Sequence, residues 1–340
     1  MQRPPAAVAT FGRLTDLDAK MAHGILRYCD HLTVVVDRVH AGRRLRDLLP
    51  YAGRDLPIVA TVEEAHRIGA RELVVGASPP GGAAAPEMVA EVATAAGLGM
   101  WIVHGLHSRI ADIPELSRYR DRIVELRHRA VTERVATGEA ARLTGNVVLT
   151  VASDCASGKM TTALELWQGL RGRGTDASFV ATGQTGMYIA GGGAPLDAVR
   201  ADFAAGVVEQ LVLDAAATGS RYVFVEGQGS ILHPAYSGVS LALLHGSAPN
   251  LLVFCHDLSR DRLAYFDQTT ADVAEEIALL ERLADHQRKA RVVAVVGVDR
   301  GGDPATADAD RARLEQRLRL PVVPATADGF GRLTDLIAEF

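Results

Sequence analysis

An α/β protein with parallel sheets is expected from three features of the 340-residue chain. Short apolar runs alternate with amphipathic stretches along its whole length, the text of strands joined by helices. Several runs, such as VVLTV at 147–151 and VVAVV at 292–296, are continuously apolar, as strands covered on both faces are. One of them, Val147–Val151, breaks into Ser153-Asp154-Cys155-Ala156-Ser157-Gly158-Lys159 and then into the helix-forming run Thr162–Leu166. Strand, loop and helix in that order are the context a P-loop needs.

Taken in order, the first half offers an amphipathic stretch at Asp18–Tyr28 and strands at Leu32–Val36, Pro57–Ala60, Glu72–Val75 and Met100–Val103. Further helical stretches lie at Arg43–Leu48 and Val62–Ile68, and Pro79–Ala85 reads as a loop. The second half offers strands at Val147–Val151, Ala177–Ala181, Tyr222–Val225, Leu251–Cys255, Arg291–Val296 and Val322–Val323, with a glycine loop at 191–193. The length suggests two domains. The charged, helix-prone segment from Arg127 stops at Gly145 and marks the boundary, which gives domains 1–135 and 136–340. The heptapeptide FGRLTDL occurs at Phe11–Leu17 and again at Phe330–Leu336, but its flanks differ and no domain repeat is implied.

Composition excludes several classes. A net charge of −5 supplies no basic field for nucleic acid. No stretch approaches the 18 uninterrupted apolar residues of a membrane span, and the N-terminus lacks the apolar core of a secretion signal. Three cysteines, Cys29, Cys155 and Cys255, without metal-site spacing fit a reduced, cytoplasmic setting.

The loop carries the first chemistry. Backbone N–H groups from Ser153 to Thr162 and the helix N-terminus can cradle a phosphate, with Lys159 as a point charge. Ser153 stands where the first P-loop glycine is usual, and Met160 where the Mg²⁺-binding hydroxyl is usual; the hydroxyls follow at Thr161 and Thr162. That spelling weakens the case for standard Mg-ATP geometry.

Three further strands also end in polar residues. YVFVEGQGSILHP, 222–234, places Glu226 at a strand's carboxyl end, where ligands bind in open α/β sheets. Its candidate roles are metal ligand, general base or Lys159 partner, and Gln228, Ser230, His233, Tyr236 and Ser237 follow within reach. LLVFCHD, 251–257, leads into His256 and Asp257. ATGQTGMYIAGGG, 181–193, reads as a strand end running into a polar, glycine-rich loop bearing Gln184, Thr185 and Tyr188. His104 and His107 read as hydrogen-bonding strand-end residues, since no carboxylate or cysteine at zinc-site spacing accompanies them. No G-x-G-x-x-G follows the strand at Leu32–Val36, so a nicotinamide or flavin in the first domain is unsupported.

The motifs SDCASGK and VEGQG are distantly similar to those of dethiobiotin synthetase-like enzymes. KMAHGILRY, GLHS, SDCASGKMTTALEL, ATGQTGMYIAGGGAPLDAVRADFAAG and VEGQGSILHPAYSGVSLALLHGSAPN resemble the DgcN family, long catalogued as a domain of unknown function. The resemblance implies a Rossmann-like N-terminal domain, a P-loop NTPase-like C-terminal domain, and acetyl-CoA-dependent N-acetylation of D-glutamate. Coenzyme A carries a pyrophosphate and a 3′-phosphate that a P-loop can hold without phosphoryl transfer. The alternative is an ATP- and Mg²⁺-dependent ligase or kinase acting on a small carboxylate, and a non-enzymatic nucleotide-binding regulator is the third reading.

For a direct transfer in a ternary complex, His233 is the preferred base and His256 the second choice, because imidazole titrates near neutrality. Gln184, Tyr188, Gln228, Ser230 and Tyr236 are candidates for substrate contacts. Arg27, Arg260 and Arg262 are candidates for the acceptor's carboxylate, and Cys155 and Cys255 are rival nucleophiles. The partners expected are a small amino acid and a second copy of the chain, with no nucleic acid and no membrane.

Overall fold

The computed structural model describes residues 3–77, 82–264, 266–300 and 303–340. The chain divides into two compact units, Met1–Ala130 with Met187–Pro195, and Val131–Gly186 with Leu196–Phe340. Each is built on its own six-stranded sheet, and every strand pairing is parallel.

In the first unit the strands are β1 Ala6–Ala9, β2 Leu32–Val36, β3 Ile58–Val59, β4 Glu72–Val75, β5 Trp101–His104 and β6 Ile123–Glu125, in the spatial order 3-2-1-4-5-6. The helices are α1 Lys20–Tyr28, α2 Leu45–Leu48, α3 Val62–Ile68 and α4 Pro86–Gly97. This is the Rossmann-like layout that the motif resemblance implies. All four residues of β1 are fully buried, and separate apolar clusters cover its two faces. The β1 strand was not among those expected, because AAVA after two prolines carries little apolar signal. The three-residue edge strand β6 also escapes the pattern, being only partly buried. Asp37, at the end of β2, accepts from Thr10 Oγ1, Leu14 N, Val39 N and His40. That carboxylate, which in a dinucleotide fold takes a ribose, is saturated by its own unit. Of the expected loop Pro79–Ala85, residues 79–81 lie outside the described residues and 82–85 carry no regular structure.

The second unit contains β7 Asn146–Ala152, α5 Lys159–Gly172, β8 Ala177–Val180, α6 Gln184–Ala190, α7 Ala201–Ala217 and β9 Tyr222–Val225. It continues through α8 Ser237–Ser247, β10 Leu251–Asp257, α9 Val273–Ala284, β11 Arg291–Val298, α10 Pro304–Leu318, β12 Val322–Pro324 and α11 Ala327–Ala338. The last residues of α6, from Met187, belong to the first unit. The strand order is 12-11-10-7-9-8, so the P-loop strand β7 lies centrally between β10 and β9. Asp272 caps α9 by accepting from Ala274 N and Glu275 N.

One sequence reading changes, and the absence of a domain repeat agrees with the structure. The stretch after β8 is not a loop at first: residues 184–190 form α6, and the glycines 191–193 only end it. The two copies of FGRLTDL adopt different structures, turns at 11–17 and the body of α11 at 330–336. No helix among the described residues is long and apolar enough to cross a membrane.

Candidate active site

The site grows from the end of β7. Ala156 (φ 54) and Gly158 (φ 92) both take left-handed backbone, the pattern that turns successive N–H groups of a short loop toward one side. Glycine accepts this at Gly158 without cost, whereas Ala156 stores strain of the kind found at ligand loops. Ser153, in the usual place of a glycine, ties the loop to β10: its N–H donates to Cys255 O at 3.2 Å and its Oγ lies 2.9 Å from His256 Nδ1. Lys159 opens α5, is 6% exposed, and donates from Nζ to Asp154 O at 2.8 Å. Burial holds its pKa below the ordinary lysine value. Thr162 is buried and accepts from Cys255 Sγ, while Met160 and Thr161 are half-buried.

Asp154 organises the loop from inside. Its Oδ1 accepts from Cys155 N, and its Oδ2 from Ala264 N and Arg260 at 2.8 Å. Arg260 also reaches Cys155 O and Asp257. Arg300 bonds Asp257 and Ala156 O. Two guanidiniums anchored on the buried Asp257 therefore clamp the loop, and Arg260 is committed to that task. Arg262 pairs instead with exposed Asp267, and Arg27 belongs to the first unit.

Glu226 follows β9 directly. Its Oε2 accepts from Thr182 N at 2.9 Å and Gly183 N at 3.2 Å, while Oε1 makes no hydrogen bond among the described residues. Burial pushes its pKa up to about 7, against the pull of those two N–H groups and of Lys159. The surroundings are shaped for this side chain, since a Cβ on Gly186 would come within 2.2 Å of Glu226 Oε2. A Cβ on Gly227 would meet Thr150 O at 1.6 Å and Lys159 Cδ at 3.1 Å, so the turn after β9 rests on the lysine stem. The Gly227 N–H is given to Thr150 Oγ1, and Gln228 Nε2 bonds Thr182. Ser230 Oγ donates to Glu276 Oε1 at 2.8 Å. Gln184, the first residue of α6, is half-buried.

His233 is fully buried, stacks on the exposed Tyr236 and meets Phe266 edge-on. Its Nδ1 accepts from Ala235 N at 3.1 Å. A neutral ring must then carry its hydrogen on Nε2, which lies 3.8 Å from Asp154 Oδ1 and makes no hydrogen bond. His233 is thus a donor in this arrangement, with no lone pair free to take a proton. Asp154, Cys155 and His233 bring one potential ligand atom each within 4.8 Å of one another. The same tautomer deprives Nε2 of the lone pair a metal needs. Burial lowers the pKa of both His233 and His256, and raises that of Cys255 to about 11, which makes Cys255 a poor nucleophile.

Tyr188 has a different setting from the loop residues. Within the first unit its hydroxyl bonds Glu72 Oε1 at 2.6 Å and His31 Nε2 at 2.7 Å, and its ring joins the core. His104 is buried at the end of β5, where Nδ1 accepts from Leu106 N, while His107 is exposed.

The residue that sequence reasoning missed is Glu276 on α9. It is fully buried, with Oε1 held by Ser230 and Oε2 unpartnered, and burial pushes its pKa up to about 7. In the text it is one of two glutamates in the first turn of an amphipathic helix, where an acidic residue normally faces water.

Residues 134–334 match the family described as "Domain of unknown function (DUF1611_C) P-loop domain", and residues 38–129 match "Domain of unknown function (DUF1611_N) Rossmann-like domain". The chain belongs to the DUF1611 family. A crystal structure of a DUF1611 family protein from Anabaena variabilis is similar at TM-score 0.91 and 33% identity, covering 99% of this chain and 100% of that one. A D-glutamate N-acetyltransferase of Tritonibacter scottomollicae is 35% identical over 297 residues, 85% of this chain and 88% of the relative. A second D-glutamate N-acetyltransferase, from a Pseudoalteromonas species, is 35% identical over 273 residues, 78% of this chain and 81% of its own length. The family reading from the motifs stands, and this DUF1611 chain is an N-acyltransferase.

Proposed function

We propose that the protein transfers the acetyl group of acetyl-CoA to the amino group of a small acidic amino acid, D-glutamate or a close analogue, in one ternary complex. The observation that carries the reading is Glu226, a buried carboxyl beside the P-loop lysine, with one oxygen held by backbone N–H groups and its pKa near 7. An amino acid arrives at neutral pH as an ammonium ion and must lose a proton before its lone pair can attack. A carboxylate of ordinary pKa is a weak base for that step, and one raised to about 7 is matched to it. Glu226 takes this role in place of His233, whose Nδ1 lone pair is given to Ala235 N.

As the nitrogen attacks the thioester carbon, the C–N bond forms and the C–S bond breaks. One of the nitrogen's two departing protons passes through Glu226 to solvent, and the other ends on the CoA sulfur. The CoA phosphates are assigned to the N–H groups of residues 156–160 and to Lys159, since those of Ser153 and Cys155 are given to Cys255 O and Asp154. Gln184 is assigned as a donor to substrate. The curated relatives, both named D-glutamate N-acetyltransferase, support the acceptor and the reaction.

Pure protein incubated with a panel of amino acids, and with acetyl-CoA or Mg-ATP, tests this reading. Free thiol released only with D-glutamate or its analogues, without ADP or AMP, is expected. ADP or AMP formation without thiol release would establish the ATP-dependent ligase or kinase instead.

A further inference from the structure

Lys159 is buried, and three carboxylates act on the charge of this region: Asp154, Glu226 and Glu276. Asp154 is neutralised by Arg260. Glu226 has two backbone donors. Glu276 has one neutral hydroxyl on Oε1 and nothing on Oε2, although it is enclosed on all sides. The turn 227–230 connects it to the P-loop: Gly227 rests on the Lys159 stem, and Ser230 holds Glu276.

Resting on the reading of 153–159 as an anion site, we propose that Glu276 is a positioning residue of that site: as a carboxylate it is the internal counter-ion of Lys159, and it takes up one proton from solvent when a phosphate or sulfate occupies the loop. An ion with two negative charges arriving at Lys159 raises the cost of a second anion in the same buried region. Glu276 has the least support for its charge of the three, so it is the group that neutralises. Once protonated, it keeps Oε1 on Ser230 and holds the turn in place.

The groups that act on Glu276 are Ser230 from the turn after β9, Lys159 at the start of α5 and Asp154 in the loop. Of the elements packed against α9, α8 contributes His245, which is perturbed by burial and His286, and β11 contributes Arg291, which pairs with Asp285. Neither acts on Glu276. Glu226 also titrates near 7 beside Lys159, and Lys159 itself has a lowered pKa, so each needs its own outcome.

The probe is inorganic sulfate, which carries no titrating proton near neutrality, with its affinity measured by calorimetry between pH 6 and pH 8.5. Uptake of one proton makes affinity fall by up to about tenfold per pH unit above neutrality in the wild type. Glu276→Gln is expected to flatten that dependence and to bind sulfate about tenfold more tightly at pH 8. Ser230→Ala removes a hydrogen bond to the carboxylate and is expected to move the fall in affinity to higher pH. A slope that persists in Glu276→Gln assigns the dependence to Lys159 or Glu226 and overturns the proposal. Weaker sulfate binding by a folded Glu276→Gln overturns it too. Absence of sulfate binding in the wild type overturns both the proposal and the anion-site reading, whereas sulfate binding without acetyl transfer removes only the proposed reaction.

Discussion

Replacing Glu226 by glutamine separates what this carboxyl does for catalysis from what it costs the fold. The amide is isosteric, and its carbonyl oxygen can still accept from Thr182 N and Gly183 N, so the site keeps its shape. Burial moves the carboxyl from 4.5 to about 7, which costs the ionised state about 3 kcal/mol in the folded protein. Because the folded pKa lies above the unfolded one, stability from this group is fully present below about 4.5 and is lost as pH rises through 7. Glu226→Gln is therefore expected to be more stable than wild type at pH 8, by up to about 3 kcal/mol, and to lose that advantage by pH 4.5. The loss of facing charge at Lys159 reduces the gain. Over the same range, kcat is expected to fall by roughly 10²–10⁴-fold, and the rise of activity through pH 7 to disappear. Urea unfolding at the two pH values and thiol-release kinetics check the two halves. A variant with wild-type kcat and an unchanged pH inflection would refute the base assignment. One destabilised equally at both pH values would refute the electrostatic argument.

Four other outcomes are expected. Lys159→Ala should weaken CoA binding about tenfold to a hundredfold by calorimetry with the fold retained, from loss of a charge-assisted contact of roughly 1.5–3 kcal/mol; unchanged affinity would remove the P-loop from the donor site. Gly227→Ala should destabilise the second unit or displace Lys159, because the added Cβ would sit 1.6 Å from Thr150 O, and an unaltered melt together with unaltered CoA affinity would contradict this. Tyr188→Phe should lower stability by about 1–3 kcal/mol through its unsatisfied partners Glu72 and His31, leaving KM for the amino acid unchanged; a raised KM without a stability loss would return Tyr188 to the substrate site. Cys155→Ser should be mild under direct transfer, and an acetylated Cys155 caught by mass spectrometry with ping-pong kinetics would replace that mechanism.

The fold was legible wherever burial left a continuous apolar run, as in β7, β9, β10 and β11, because a strand covered on both faces has no polar residue to hide it. It was not legible in β1, whose four small residues owe their burial to neighbours supplied by distant parts of the chain. FGRLTDL makes the same point, since one heptapeptide is turn or helix according to what surrounds it. Within the candidate site, Lys159 and Glu226 announce themselves through strand–loop–helix context and position at a strand end. Glu276 does not, because only the packing of α9 turns that glutamate away from water. The donor character of His233 is equally hidden, resting on a backbone N–H two residues along.

Difference density in crystals of the protein grown with CoA bears most directly on the reading of the loop as an acyl-donor site. The pyrophosphate is expected on the N–H groups of residues 156–160, with Lys159 Nζ turned from Asp154 O to a phosphate oxygen and the thiol end of the ligand approaching Glu226 Oε1. CoA bound elsewhere, with the 153–159 loop and Lys159 unchanged, would contradict both the donor site and the role given to Glu226.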